Sequence, residues 1–332
     1  DVRAFYEAKA LEQQQRHLKY HDTAYNLEPN LKESPGGLRD LATVLWIARA
    51  AGLGRGWGDL AKAGLLTPAE ARIVSRQERL IGGLRVRLHY LAGRREDRLV
   101  FDLQNQLARD LALVDTPNRR ASEQLMQRYY RAAKLVQRAN VIMLQNLHAR
   151  LLPIDVVARP IGANFAAIDE LLHIRDEHLF ERDPSAILDA FLTMMRHPEL
   201  KGMSARTLRA LVRNQHRIDA AFRRDPANRA KFLRIFRERR GLTHELRRMN
   251  LYGILGRYVP AFGRIVGQMQ HDLFHVYTVD EHILKVIRNL RRFTEPQHAH
   301  EYPLCSRLIA DFERKEVLYL AGLFHDIAKG RG

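Results

Sequence analysis

The sequence has 332 residues, of which 46% are hydrophobic and 28% charged, and its formal net charge is +17. This length allows two domains with sizeable cores, and this composition excludes a chain that is disordered throughout. The single cysteine, Cys305, excludes a framework of intramolecular disulfides. The sequence shows no signal-peptide pattern and no apolar run near about 18 residues, so we expect a cytoplasmic protein with no membrane partner.

The positive charge is compatible with nucleic acids, acidic proteins or phosphorylated substrates as partners. The basic residues, mainly arginines, are however spread through nearly every segment. The densest cluster, formed by Arg237, Arg239 and Arg240, is too short to be a basic arm. We therefore expect the arginines to solvate helix faces and do not expect nucleic acid to be a partner.

Helical periodicity begins at the first residue. Residues 1–20 form a predicted helix, and its apolar face consists of Ala4, Phe5, Ala8 and Leu11. A second helix is predicted at 67–93, where Thr67 caps the first turn and Glu70 completes a capping box. Its predicted buried stripe comprises Ile73, Leu80, Ile81, Leu84, Leu88 and Leu91.

The periodicity continues toward the C-terminus in helices predicted at 122–151, 183–197, 204–215 and 228–237. The longest of them has a stripe of Leu125, Tyr129, Ala133, Val136, Met143 and Leu147. The only strand signal is an extended piece at 154–157. The predicted fold class is therefore all-α, with long helices in a bundle.

A segment rich in turn residues, 25–40, allows two readings. Pro29, Ser34 to Gly37 and a helix-capping Asp40 can simply build a tight loop at a domain junction. Alternatively, Glu28 is the third carboxylate of a two-metal transferase site, and Lys32 and Arg39 contact the phosphates of the substrate.

The clearest chemical motif lies at the end of the sequence. His325 and Asp326 end an apolar helical run and are followed by Lys329, while His282 lies 43 residues upstream near the start of another predicted helix. Imidazole and carboxylate groups suit a divalent ion, which activates water and a phosphoryl oxygen for hydrolysis. We therefore predict that His282, His325 and Asp326 are metal ligands. We also predict that His325, Asp326 and Lys329 are catalytic, with Lys329 in contact with the phosphate.

Two other His-Asp pairs, His21-Asp22 and His271-Asp272, lack a preceding apolar helix and are read as surface or capping pairs. The pattern around His325 resembles the His…His-Asp…Asp superfamily of metal-dependent phosphohydrolases. In that superfamily a final aspartate ligand lies well beyond the His-Asp pair. Because the sequence ends at Gly332, the resemblance implies a ligand set that is incomplete in this sequence.

Longer strings resemble the family of bifunctional PII uridylyltransferase/uridylyl-removing enzymes, the bacterial nitrogen sensors. They occur in the family's order and are YNLEPNLKESPGGLRD (25–40), LHYLAGRREDRL (88–99), MQRYY (126–130), LGRYVPAFG (255–263), QMQHDLFH (268–275) and VDEH (279–282). The resemblance covers essentially the whole sequence.

The resemblance implies an enzyme that attaches UMP from UTP to the PII signal protein and hydrolytically removes it in response to glutamine. It implies the end of a nucleotidyltransferase domain at 1–40, a helical domain at 41–255 and the N-terminal part of an all-α His-Asp (HD) phosphohydrolase domain at 256–332. The implied cofactor is a divalent metal, Mg or Mn. Glutamine sensing would belong to domains outside this sequence.

Two alternatives remain open. The metal motif alone also fits a nucleotide phosphohydrolase of another His-Asp type. The charge also fits a non-catalytic basic helical scaffold that binds an acidic partner.

Overall fold

The computed structural model describes residues 1–20, 23–153, 157–269 and 277–330. His21-Asp22, His271-Asp272 and most of the predicted extended piece at 154–157 lie outside these described residues. The described residues form two compact units, one within 1–153 and 267–278 and the other within 157–266 and 279–330. Among the described helices, none combines the length and apolarity that crossing a bilayer requires.

The first unit is helical. Its helices are α1 (Val2–Lys19), α2 (Leu38–Ala50), α3 (Trp57–Lys62), α4 (Pro68–Ala92), α5 (Phe101–Asp110) and α6 (Ala121–Leu151). Helix α6 packs against α2, α4 and α5 and forms the centre of this unit. All six residues of its predicted stripe are buried, which confirms the prediction for this helix.

Helix α4 follows its predicted boundaries. The Thr67 hydroxyl accepts a hydrogen bond from the Glu70 N–H, the Glu70 carboxylate accepts one from the Thr67 N–H, and Gly93 ends the helix in the left-handed conformation. The predicted stripe is wrong at Ile73, whose exposure is 43%, while the neighbouring Val74 is buried. The buried face follows positions 74, 77, 81, 84 and 88, so Ile73 lies outside it.

Helix α1 is present as predicted, and it docks on the first unit mainly through residues outside its predicted apolar face. It contacts α2 and α6 through Tyr6, Gln13 and Arg16, whereas Leu11 is 55% exposed. The Gln13 amide donates a hydrogen bond to the Asn140 side chain at 2.7 Å. Polar side chains with matched partners therefore hold this helix on the first unit.

The second unit contains the remaining elements. Its strands are β1 (Arg159–Ile161), β2 (Phe165–Ile168), β3 (Leu171–Ile174) and β4 (Gly202–Met203). Its helices are α7 (Leu179–Arg182), α8 (Ala186–Arg196), α9 (Ala205–Asn214), α10 (Ala220–Arg224), α11 (Pro226–Arg237), α12 (Leu242–Leu251), α13 (Ile254–Tyr258), α14 (Pro260–Ile265), α15 (Val279–Phe293), α16 (Pro303–Ala310) and α17 (Lys315–Phe324). Helices α8, α9 and α11 match the predicted helices to within about three residues.

The four-stranded sheet corrects the all-α prediction, although the chain is mostly helical. Its order is β1-β2-β3-β4, with two antiparallel hairpins followed by a parallel pairing of β3 with β4. The β2–β3 turn is formed by Asp169 and Glu170, both at positive φ. Such turns usually carry Asn-Gly or Asp-Gly, so the hairpin lacks its usual sequence signal.

Candidate metal centre

Helices α15 and α17 of the second unit carry the predicted metal ligands. Their contact is close because Gly322 has no side chain: a Cβ there would lie 3.0 Å from a Leu290 methyl and 3.4 Å from Ile287. Helix α17 ends at Phe324, so His325 and Asp326 follow immediately at its C-terminus. Their placement beside α15 brings them to the first turns of that helix, where His282 lies.

The three predicted ligands converge, as expected. The Nε2 atoms of His282 and His325 are 3.4 Å apart. Asp326 Oδ2 lies 3.7 Å from His282 Nε2 and 3.4 Å from His325 Nε2. Within the described part of the chain, these side chains form the one group of at least three histidines, cysteines or acids whose ligand atoms all lie within 4.8 Å of one another.

The ring tautomer of His325 is the one that a metal ligand needs. Its Nδ1 lies 2.8 Å from the carbonyl oxygen of Gly322. A carbonyl only accepts, so Nδ1 carries the proton and, in the neutral ring, Nε2 presents a lone pair toward His282 and Asp326. Ligands that share one ion with bonds of about 2.1 Å are separated by roughly 3 to 3.5 Å. The two separations of 3.4 Å lie within this range and the third, 3.7 Å, is slightly longer, so the group is close to what a divalent ion requires.

Lys329 occupies the 3-10 turn after the pair, Ile327–Gly330. Its ammonium donates a hydrogen bond to Asp326 Oδ2 at 2.8 Å. Partial burial raises the pKa of the Asp326 carboxyl, but the hydrogen bond and charge of Lys329 and the two histidines outweigh it and hold that pKa below its usual value. Asp326 is therefore ionised near neutral pH, as a metal ligand must be.

The second predicted set, Glu28, Lys32 and Arg39, lies in the first unit. Glu28 accepts hydrogen bonds from the Arg98 guanidinium at 2.9 Å and from the N–H of Phe101, the first residue of α5, at 3.1 Å. Lys32 and Arg39 both pair with Glu33, at 3.3 and 3.0 Å. These contacts support the loop reading, and a substrate-binding role for the three residues stays a prediction.

Asp40 has a different role from the predicted helix cap. Helix α2 begins at Leu38, so Asp40 lies within its first turn rather than ahead of it. Its fully buried carboxylate accepts hydrogen bonds from Arg16 at 2.7 Å and from the Gly36 N–H at 2.7 Å, and His17 lies 2.8 Å away. Asp40 therefore fastens α1 and the 34–37 turn to α2.

Sequence patterns assigned no supporting role to the residues that hold the turn of His282. Asp280 and Glu281 precede it and are buried, and Asn250 and Arg247 of α12 donate hydrogen bonds to them. Acidic residues at a helix start usually serve the helix dipole at the surface. Only the fold shows that these two are covered by another helix.

Two family profiles match the chain. The profile of the GlnD PII-uridylyltransferase matches residues 4–144, and that of the uridylyltransferase GlnD third domain matches residues 165–258. Together they cover most of the chain. The chain belongs to the GlnD PII-uridylyltransferase family.

Curated relatives extend the similarity through the candidate metal centre. The bifunctional uridylyltransferase/uridylyl-removing enzyme of Nitrosospira multiformis is 61% identical over 99% of this chain and 37% of its own length. The enzymes of the same name from Chromobacterium violaceum and Thiobacillus denitrificans are 61% and 59% identical over 100% of this chain and 39% of their lengths. The chain thus spans under two fifths of these relatives. No solved structure matches it.

Proposed function

We propose that this chain is the central part of a bifunctional enzyme that attaches UMP from UTP to the PII signal protein and removes it again. The second unit carries the removal reaction. The observation that carries this proposal is the convergence of His282, His325 and Asp326, in a chain whose relatives are named uridylyl-removing enzymes.

The three converging side chains would hold a divalent ion, Mg or Mn. That ion would supply Lewis-acid activation of water and of the phosphoryl group. Gly322 keeps His325 in the tautomer that offers Nε2, since its carbonyl accepts the Nδ1 proton. Lys329 keeps Asp326 ionised and offers a positive charge beside it for the phosphate of UMP-PII.

The proposed partners are those that the family resemblance implies. PII carries the modified tyrosine, UTP and UMP are the nucleotide substrate and product, and glutamine acts through domains outside this chain. The helices of the first unit, which match the uridylyltransferase profile, would support the attachment reaction.

A direct test is UMP release from uridylylated PII by the full-length enzyme, with Asp326→Asn compared with Asp311→Asn. Asp311 is an exposed aspartate at the end of α16 and lies outside the converging group. We expect Asp326→Asn to lower release by at least about a hundredfold, since a ligand carboxylate is lost, and to leave UMP attachment within about twofold. The Asp311 variant should retain both activities.

The competing readings give different outcomes. Release that persists in the Asp326 variant would refute this metal centre as the site of removal. A full-length enzyme that ignores UMP-PII but hydrolyses free nucleotides would favour another His-Asp phosphohydrolase. Absence of both activities in the unsubstituted enzyme would favour the scaffold.

A further inference from the structure

Two neighbouring carboxylates at the start of α15 are almost inaccessible to water. Asp280 is 0% exposed and Glu281 is 4% exposed. Burial of a charged group is costly unless a partner compensates for its lost hydration. Their partners are therefore part of what fixes α15.

Helix α12 supplies both partners. Arg247 donates a hydrogen bond to Glu281 at 2.8 Å, and Asn250 donates one to Asp280 at 2.9 Å. The two donors are three residues apart and thus lie on one face of α12. This face holds the first turn of α15 at two adjacent positions.

These contacts determine where His282 points. Successive residues of an α-helix project about 100° apart, so fixing residues 280 and 281 against α12 fixes the rotation of α15 about its axis. With that rotation, His282 is directed toward the end of α17, and its Nε2 lies 3.4 Å from that of His325. A different rotation would move His282 away from His325 and Asp326.

The next arginine of α12, Arg248, has its hydrogen bonds outside α15. Arg248 donates hydrogen bonds to Glu245, on the same helix, and to the carbonyl of Lys201, just before β4, both at 2.5 Å. Helix α12 lies within the match to the third-domain profile, at 165–258. The support of His282 therefore comes from residues of that domain.

We propose that Arg247 and Asn250 are positioning residues of the metal centre, which act by fixing the first turn of α15 and with it His282. This inference rests on the proposed function only in taking the converging side chains as metal ligands. It assigns to α12 a second task besides packing: metal affinity depends on its polar face.

The test is Mn²⁺ binding to the 332-residue chain, followed by electron paramagnetic resonance, for Arg247→Met and the matched control Arg248→Met. Both variants remove one arginine of α12 that pairs with a buried glutamate. We expect Arg247→Met to weaken binding roughly tenfold to a hundredfold, as loss of groups behind metal ligands does. Arg248→Met should change affinity by less than about twofold, and Arg247→Lys, which keeps the cation, should restore most of the binding.

Thermal unfolding followed by circular dichroism separates positioning from stability. Equal affinity losses in the Arg247 and Arg248 variants, or an unchanged affinity in Arg247→Met, would overturn the inference. If Arg247→Met does not fold, Asn250→Ala replaces it with the same expected loss. If the unsubstituted chain binds Mn²⁺ and His282→Ala does not weaken that binding, the proposed metal centre itself is wrong, whatever the Arg247 variant does.

Discussion

Glu245 is a buried carboxylate that also belongs to α12. It is 2% exposed, its Oε1 accepts a hydrogen bond from Arg248 at 2.5 Å, and its Oε2 receives none among the described residues. Burial raises the pKa of this carboxyl to about 7, against the opposing charge and hydrogen bond of Arg248. Glu245 should therefore make stability depend on pH.

The direction of this pH dependence follows from how many protons the folded and unfolded chains bind. Between pH 4.5 and about 7 the unfolded chain releases the Glu245 proton while the folded chain keeps it. The free energy of unfolding therefore falls as pH rises through this window and is level above it. Between pH 4.5 and 8, we expect the free energy of unfolding of wild type to fall by up to about 3 kcal/mol relative to that of Glu245→Gln. Urea unfolding at both pH values measures this difference, and parallel pH profiles would contradict the raised pKa.

At the scale of elements, the contact of α15 with α17 depends on Gly322. Because Leu290 and Ile287 lie where its side chain would be, we expect Gly322→Val to separate the two helices. Overpacking of this kind costs about 1–3 kcal/mol, and the ligands should then bind Mn²⁺ more weakly.

The matched control is Gly82→Val in α4, where nothing lies within 4 Å of an added Cβ. Its free energy of unfolding should stay within about 0.5 kcal/mol of wild type, with unchanged Mn²⁺ affinity. Chemical unfolding and metal titration of both variants provide the comparison. An equally well tolerated Gly322→Val would show that the close contact is not required.

The elements differ in how far the sequence predicts them. Helix α4 could be located closely because local signals coincide: a capping threonine, a glutamate three residues later and a glycine at the end. The sheet could not be predicted, because Asp169 and Glu170 are forced to positive φ by the hairpin that they close. Tertiary pairing overrides the preference of these residues, and no window of sequence reports it.

At the scale of the whole chain, the sequence likewise predicts only part of the candidate site. His282, His325 and Asp326 could be predicted because each ends or begins an apolar helix and the motif is short. The contact of Arg247 with buried Glu281 could not be predicted, since it depends on the packing of α12 against α15. The pairing of Lys32 and Arg39 with Glu33 could not be predicted either, because it exists only in the folded loop.

The most direct test of the metal centre is anomalous diffraction from crystals of this chain grown with Mn²⁺. We expect one anomalous peak in the second unit, about 2 Å from the Nε2 atoms of His282 and His325 and from Asp326 Oδ2. The peak should vanish in crystals of His282→Ala. A Mn²⁺ peak elsewhere in this unit, with none between these three side chains, would contradict the assignment of this site as the metal centre.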